Sequence, residues 1–169
     1  MNKTMIKVST CALMAGMMML PIQAEQTSGE MNLKYTEGNH WAVTIPSEVS
    51  LSTGSDSDST ITATEINIEP NKKLEVSVST GVSNGQAVLT RKNGITGSDD
   101  VTTTVSLSTG GAGIADKEVV AEFSGTKKNT SISADKNGTL YFSKLSAKDG
   151  GTVKAGEYTG KITFLLEVK

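Results

Sequence analysis

Hydrophobic and polar residues alternate over short stretches of this chain, a spacing that places the hydrophobic ones on one face of a β-strand. In residues 74–79, LEVSVS, this face is formed by Leu74, Val76 and Val78. Helical spacing is nearly absent, so the pattern predicts an all-β protein. The other stretches predict strands over residues 31–35, 41–45, 60–68, 86–91, 101–107, 118–123, 139–143 and 158–168.

Two of these stretches predict more than a simple strand. In TITATEINI the alternation slips by one position between Ala63 and Ile66, which predicts a β-bulge or a strand that changes sheets. In VTTTVSL the valines alternate with Thr102, Thr104 and Ser106, so these three polar side chains are expected to face water.

Turn-forming residues separate the strands at short intervals. The pairs Asn84-Gly85, Asn93-Gly94 and Asn137-Gly138 suit tight hairpins, which require positive φ angles. Eight or nine strands without a helix predict a single domain over residues 31–169, folded as an antiparallel immunoglobulin-like β-sandwich.

The start of the chain has the layout of a secretory signal. Lys3 and Lys7 precede a short apolar run, and Pro21 and Ala24 follow it. The apolar run is too short to cross a bilayer. We therefore expect residues 1–24 to be a cleaved signal peptide, residues 25–30 to be a flexible tail, and the protein to be secreted or held at the cell surface without a transmembrane segment.

Composition narrows the functional classes further. The single cysteine, Cys11, lies in the predicted signal peptide, so the exported chain would fold by packing alone. Sixteen basic residues stand against 18 acidic ones, a net charge of −2, and no basic stripe is present. Nucleic acid is therefore not an expected partner.

The strand over residues 158–168 is the most hydrophobic of the chain. At roughly 1.5–3 kcal/mol for each large side chain buried, its apolar face would contribute on the order of 10 kcal/mol, which predicts a place in the core. Two alternatives follow: the strand pairs within its own molecule, or it is exchanged with a neighbouring subunit. Its apolar face consists of Tyr158, Ile162, Phe164, Leu166 and Val168.

Candidate metal ligands are confined to two acidic loops. Asp56 and Asp58 are spaced like the first ligands of a calcium loop, but the positions that should hold glycine and glutamate do not. Asp99 and Asp100 form the second loop. A solvated turn is the favoured interpretation of both, and low-affinity calcium binding is the alternative if the two loops meet.

The residues for catalysis are scarce. His40 is the single histidine, and a cysteine–histidine pair is excluded once Cys11 is removed. We expect His40 to be a surface residue beside a packed Trp41. The prediction is a protein that is not an enzyme and has no cofactor.

Aromatic residues offer one route to ligand binding. Trp41 and Tyr141 could form a sugar-binding face if their rings were exposed together, and the alternative is that both serve the core or its rim.

Three segments carry a resemblance to a known class of proteins: WAVTIPSEVSLS, NKKLEVSVS and GTLYFSKLSAKDGGTVKAGEYTGKITFLLEV. They resemble small β-sandwich modules of secreted and cell-surface proteins from Gram-positive bacteria, especially clostridial ones. This resemblance implies an immunoglobulin-type fold with a display, spacer or adhesion role. Gly156 and the alternating strand after it are also similar to the last strand of chaperone–usher pilins, which implies a fibre built by strand exchange.

The sequence thus leads to three functional hypotheses. The first is a non-catalytic surface or adhesion module that binds a surface protein or a glycan. The second is a pilus or fibre subunit, and the third is a carbohydrate-binding module. The first two differ in assembly, since the module would be a monomer and the subunit would polymerise.

Overall fold

The computed structural model describes residues 34–169, and the predicted signal peptide, tail and first half of the strand over 31–35 lie outside them. Thr36–Lys169 form one compact unit. Lys34 and Tyr35 are not in a strand, contrary to the prediction for 31–35. Within the described residues the chain forms thirteen strands: β1 (His40–Thr44), β2 (Ser57–Thr60), β3 (Thr62–Asn67), β4 (Lys73–Thr80), β5 (Gln86–Arg91), β6 (Val101–Ser106), β7 (Val119–Ser124), β8 (Thr126–Ser133), β9 (Lys136–Asn137), β10 (Thr139–Phe142), β11 (Ser146–Ala147), β12 (Tyr158–Thr159) and β13 (Thr163–Val168).

The strands form three sheets, and every pairing is antiparallel. The order is β1-β3-β8 in the first sheet, β12-β5-β6-β10-β2 in the second, where β11 also pairs with β6, and β13-β4-β7-β9 in the third. The all-β prediction is therefore confirmed. The strand number exceeds the predicted eight or nine because two predicted stretches, 60–68 and 158–168, are each divided between two sheets, and because β8, β9 and β11 were not predicted.

At three places a single residue links two strands of different sheets. Ile61 joins β2 of the second sheet to β3 of the first, Gly125 joins β7 to β8, and Gly138 joins β9 to β10. A chain that bends in this way can turn a corner between sheets.

The irregularity predicted between Ala63 and Ile66 is confirmed as a β-bulge, not as a change of sheets. The strand changes sheets at Ile61, and Thr64 is a bulge, because Ala42 pairs with Glu65 while Val43 pairs with Ala63. Because Thr64 is an extra residue in β3, the apolar side chains after it point toward the core again. Ala63 and Ile66 are in consequence both fully buried.

The core is built from the alternating apolar positions. Leu74, Val76 and Val78 of β4 are buried, as predicted, and Phe123 of the neighbouring β7 is fully buried. Half-buried residues that pack against this core include Val43, Ile45, Phe164 and Leu166.

The prediction that the polar residues of β6 face water is wrong for two of them. Thr102 and Ser106 are buried, and Thr104 is half-buried. β6 is a central strand, with β5 on one side and β10 and β11 on the other. The Thr102 hydroxyl lies 3.4 Å from the Ser146 hydroxyl of β11, and the Ser106 hydroxyl donates to the carbonyl oxygen of Ser108 at 2.8 Å.

The predicted tight hairpin at Asn84-Gly85 is confirmed. Both residues have positive φ, 50° and 77°. Ser83 and Gln86 exchange two main-chain hydrogen bonds of 2.9 and 3.0 Å around them, which closes a two-residue turn.

The last predicted strand is divided as well. Tyr158 lies in β12, which pairs with β5, whereas Phe164, Leu166 and Val168 lie in β13, which pairs with β4 of the same chain. Their side chains are half-buried rather than fully buried, because β13 is the outermost strand of its sheet.

Candidate functional site

The most elaborate polar arrangement in the described residues joins two loops near the start of β6. Arg91 is the last residue of β5, and Asp99 lies shortly before β6 begins. Asp99 Oδ2 accepts a hydrogen bond from Arg91 Nη1 at 3.2 Å, and Asp99 Oδ1 accepts one from Lys154 Nζ at 2.5 Å. We call Arg91, Asp99 and Lys154 the Arg91 cluster.

The cluster fastens the segment that leads into β12. Arg91 Nη2 donates to the carbonyl oxygen of Ala155 at 2.6 Å, and the hydroxyl of Tyr158 donates to the carbonyl oxygen of Lys154 at 2.7 Å. A β-carbon at Gly156 would lie 2.7 Å from Arg91 Nε, so the guanidinium passes directly over the main chain there. The β5–β6 loop and residues 153–158 are thus held together.

The electrostatics of the cluster favour the charged form of Asp99. The hydrogen bond from Lys154 lowers the pKa of Asp99, with further help from the Ile95 amide and Arg91, against an opposing effect of burial. A carboxylate with a lowered pKa and three donors is a poor proton acceptor near neutral pH. The cluster can therefore hold loops together but is not suited to acid–base chemistry.

The predicted calcium ligands of the second loop are both buried, with different surroundings. Asp99 already faces two cationic groups, which a calcium ion would have to displace. Asp100 Oδ2 lies 3.7 Å from Lys148 Nζ, and Asp100 Oδ1 is buried without a hydrogen-bond partner among the described residues.

The first acidic loop has separate roles. Asp56 Oδ1 accepts a hydrogen bond from the Lys144 amide at 2.9 Å. Asp58 is exposed in β2, opposite Tyr141 of β10. Within residues 34–169, no group of three or more histidine, cysteine, aspartate or glutamate side chains is arranged to hold a metal ion.

His40 belongs to a surface charge cluster. Its side chain lies 3.9 Å from a Glu37 oxygen and 3.8 Å from a Glu65 oxygen, and its Nδ1 is 3.3 Å from the carbonyl oxygen of Gly38. Lys128 donates to Glu65 at 3.0 Å and lowers the pKa of that carboxyl group. These contacts are exposed, and they connect β1, β3 and β8 at the surface.

The two aromatic candidates lie on different sheets. Trp41 is on β1, an edge strand, and remains 37% exposed, whereas Tyr141 is half-buried in β10 between Ser106 and Asp58. Trp41 is therefore partly accessible to solvent.

A groove of about 400 Å³ lies at the start of β1. Its polar walls are already bonded to each other: Asn39 accepts from the Glu69 amide at 2.7 Å, and Asn67 accepts from the Thr126 hydroxyl at 3.0 Å. The groove is lined by Glu37, Gly38, Asn39, Asn67, Ile68, Glu69, Pro70, Gly125 and Thr126.

A row of charges crosses the outer face of the third sheet. Glu167, Glu75 and Glu122 stand side by side on β13, β4 and β7. Lys73 lies 2.8 Å from Glu75 and 3.0 Å from Glu122, and these hydrogen bonds raise its pKa and lower that of Glu122. Interleaved lysines thus offset the repulsion between adjacent glutamates.

The Arg91 cluster could not be identified from the sequence. Its members are separated by long intervals of chain, and neither Arg91 nor Lys154 lies in a recognisable motif. In residues 153–158, only Gly156 was notable in the sequence, as the residue that precedes an alternating strand.

No protein-family model matches the chain, and no curated protein or solved structure is significantly similar to it.

Residues 34–169 contain no helix that is long and apolar enough to cross a membrane.

Proposed function

We propose that this chain is a non-catalytic extracellular surface or adhesion module, built as an immunoglobulin-like β-sandwich of the kind found in Gram-positive surface proteins. The observation that carries the proposal is that the charged side chains pair with one another. In the Arg91 cluster, around His40 and along the Glu167–Glu75–Glu122 row, they bond to each other around an apolar interior.

Such an arrangement suits a rigid body that presents a surface. Ion pairs and hydroxyl ladders, such as Thr60 with Thr139 at 3.0 Å, occupy positions where exposed apolar groups would promote aggregation. The signal-like layout of residues 1–24 supports export, and the antiparallel sheets support the sandwich.

Location and binding test the proposal together. The protein produced in its own cells is expected at the cell surface or in the medium, with Glu25 as the first residue by N-terminal sequencing. The purified, fluorescently labelled protein is expected to be retained in a saturable way by isolated Gram-positive cell walls or host surface proteins. Retention in the cytoplasm, or conversion of a wall component into a smaller product, would contradict the proposal.

A carbohydrate-binding role is the second candidate, and the partly exposed ring of Trp41 favours it. Trp41 is the one tryptophan of the chain, so its fluorescence reports on this position alone. Soluble wall glycans should quench or shift that fluorescence if the ring stacks on a sugar. Unchanged emission over a glycan series would remove this candidate.

A further inference from the structure

The open edge of β13 differs from the other sheet edges in the described part of the chain. β9 and β12 have two residues each, β2 is the short polar segment SDST, and β1 carries a register shift opposite the Thr64 bulge. β8 contains two lysines, and its pairing with β3 is interrupted between Lys128 and Ile132. These are common ways to prevent sheets from joining edge to edge.

Over Phe164–Val168, β13 has none of these protections, and the one register shift in its pairing with β4 lies at its first residue, between Thr163 and Phe164. Its sequence, TFLLEV, contains no proline or lysine, and its pairing with β4 is regular from Phe164 to Val168. Leu165 points outward and is 46% exposed, while Phe164 and Leu166 point inward and are half-buried.

The main-chain groups at this edge follow from the pairing with β4. Lys169 and Lys73 exchange two main-chain hydrogen bonds of 2.9 and 3.0 Å. In an antiparallel pair such residues alternate with ones whose amide and carbonyl groups point away from the partner. The groups of Phe164, Leu166 and Val168 therefore point to the open edge, where no strand of the described residues pairs with them.

We infer that two copies of this chain associate through β13, antiparallel and with Leu165 on the two-fold axis, to form one continuous eight-stranded sheet. In this register Phe164 lies opposite Leu166 of the second copy, and their outward main-chain groups hydrogen-bond. Val168 lies opposite Ile162, so apolar side chains meet on the inner face.

Charge distribution supports this register over its neighbours. Glu167 lies opposite Thr163 of the second copy, and its carboxylate is already bonded by Lys169 at 2.7 Å. A shift by one residue would oppose the inner face of one copy to the outer face of the other. A shift that opposed Leu166 to itself would instead place Leu165 against Glu167. Because this pattern is complementary to itself, the partner at the open edge of β13 is a second copy of the chain. The inference goes beyond the proposed surface role.

The test compares two exposed apolar residues. Leu165→Lys places two ammonium groups on the two-fold axis, and Val88→Lys is the matched control, since Val88 is 41% exposed on β5, an interior strand. Sedimentation equilibrium of the purified protein at micromolar to sub-millimolar concentration should show a dimer for the wild type and for Val88→Lys. For Leu165→Lys the dissociation constant should rise at least roughly tenfold, and its thermal midpoint should equal that of the wild type at dilutions where both proteins are monomeric.

Crosslinking gives an independent measurement that survives a folding defect of the lysine variant. In a Cys11→Ser background, Leu165→Cys should form a disulfide-linked dimer under mild oxidation, since directly opposed residues of a non-hydrogen-bonded pair bring their β-carbons close together. Val88→Cys should remain monomeric under the same conditions.

Three results would overturn the inference. They are a monomeric wild type over the whole concentration range, a dimer or fibre that persists with Leu165→Lys, and the absence of a Leu165→Cys crosslink. A monomer with a covered edge, whether by residues before Lys34 or by another means, counts as the first of these results. Loss of wall binding with an intact dimer would count against the proposed function alone.

Discussion

Gly81 lies directly against the main chain of Lys161. A β-carbon at position 81 would overlap the Lys161 carbonyl oxygen and come within 2.8 Å of the Ile162 Cα. Gly81 also has a φ of 94°, a conformation that other residues rarely adopt. The chain between β12 and β13 can therefore cross the end of β4 because position 81 carries no side chain.

Gly81→Ala should destabilise the protein by more than about 2 kcal/mol, the combined effect of positive φ and steric overlap. Gly97→Ala is the control, because Gly97 has a similar φ of 90° but open space around it. Urea unfolding of both variants separates the two effects. Equal losses of stability would show that the contact with Lys161 contributes nothing.

Leucines on two neighbouring strands, β4 and β13, should respond differently to truncation. Leu74→Ala removes a fully buried side chain and should cost about 2–5 kcal/mol, whereas Leu166→Ala on the half-buried edge strand should cost about 1–2 kcal/mol. The measurement is the free energy of unfolding in denaturant. A loss for Leu166→Ala as large as that for Leu74→Ala would place β13 in the closed core.

The Arg91 cluster predicts a pH dependence. The pKa of Asp99 is lower in the folded state, so its contribution to stability is complete above the ordinary aspartate pKa of about 4 and is lost as the pH falls through the lowered folded-state value. Asp99→Asn should therefore melt at a lower temperature than the wild type at pH 7, and this difference should shrink below about pH 4.

Asp58→Asn is the control for this charge, since Asp58 is exposed on β2 and should leave the melting temperature unchanged at both pH values. A constant difference between wild type and Asp99→Asn from neutral to acid pH would mean that the hydrogen-bond geometry, not the charge, holds the loops.

Deletion of Thr64 should prevent folding. Without the bulge, either Ile61 and Ala63 or Ile66 and Ile68 would turn away from the core, although all four are buried. Thr64→Ala keeps the residue count and should fold, because the Thr64 side chain is exposed. Amide chemical-shift dispersion distinguishes the two variants, and a dispersed spectrum for the deletion would contradict the assignment of the bulge.

The spacing of apolar residues was sufficient to predict which face of a strand is buried, but not where the strand lies in its sheet. Leu74, Val76 and Val78 show the first point, and the slip between Ala63 and Ile66 even located a bulge. Lateral position depends on partners far away in the chain. Thr102 and Ser106 are thus buried in a central strand, and Phe164 is half-buried at an edge.

The polar site was still less predictable. Asp99 was noted as an acidic loop residue, but its partners Arg91 and Lys154 come from distant segments that only the folded chain brings together. The alternation of apolar and polar residues predicts strands. It gives no information about these contacts, because they join loops. Conversely, the calcium-like spacing of Asp56 and Asp58 was a local pattern, and the fold gives Asp56 the Lys144 amide as its partner.

The links between sheets at Ile61, Gly125 and Gly138 determine how the domain unfolds. Each links a strand of one sheet to a strand of another, so no sheet can detach without pulling residues out of its neighbour. Opening should therefore be all-or-none, and the most protected amides of the three sheets should exchange with solvent at one common rate. A domain with this property should resist mechanical force and limited proteolysis until it unfolds as a single unit.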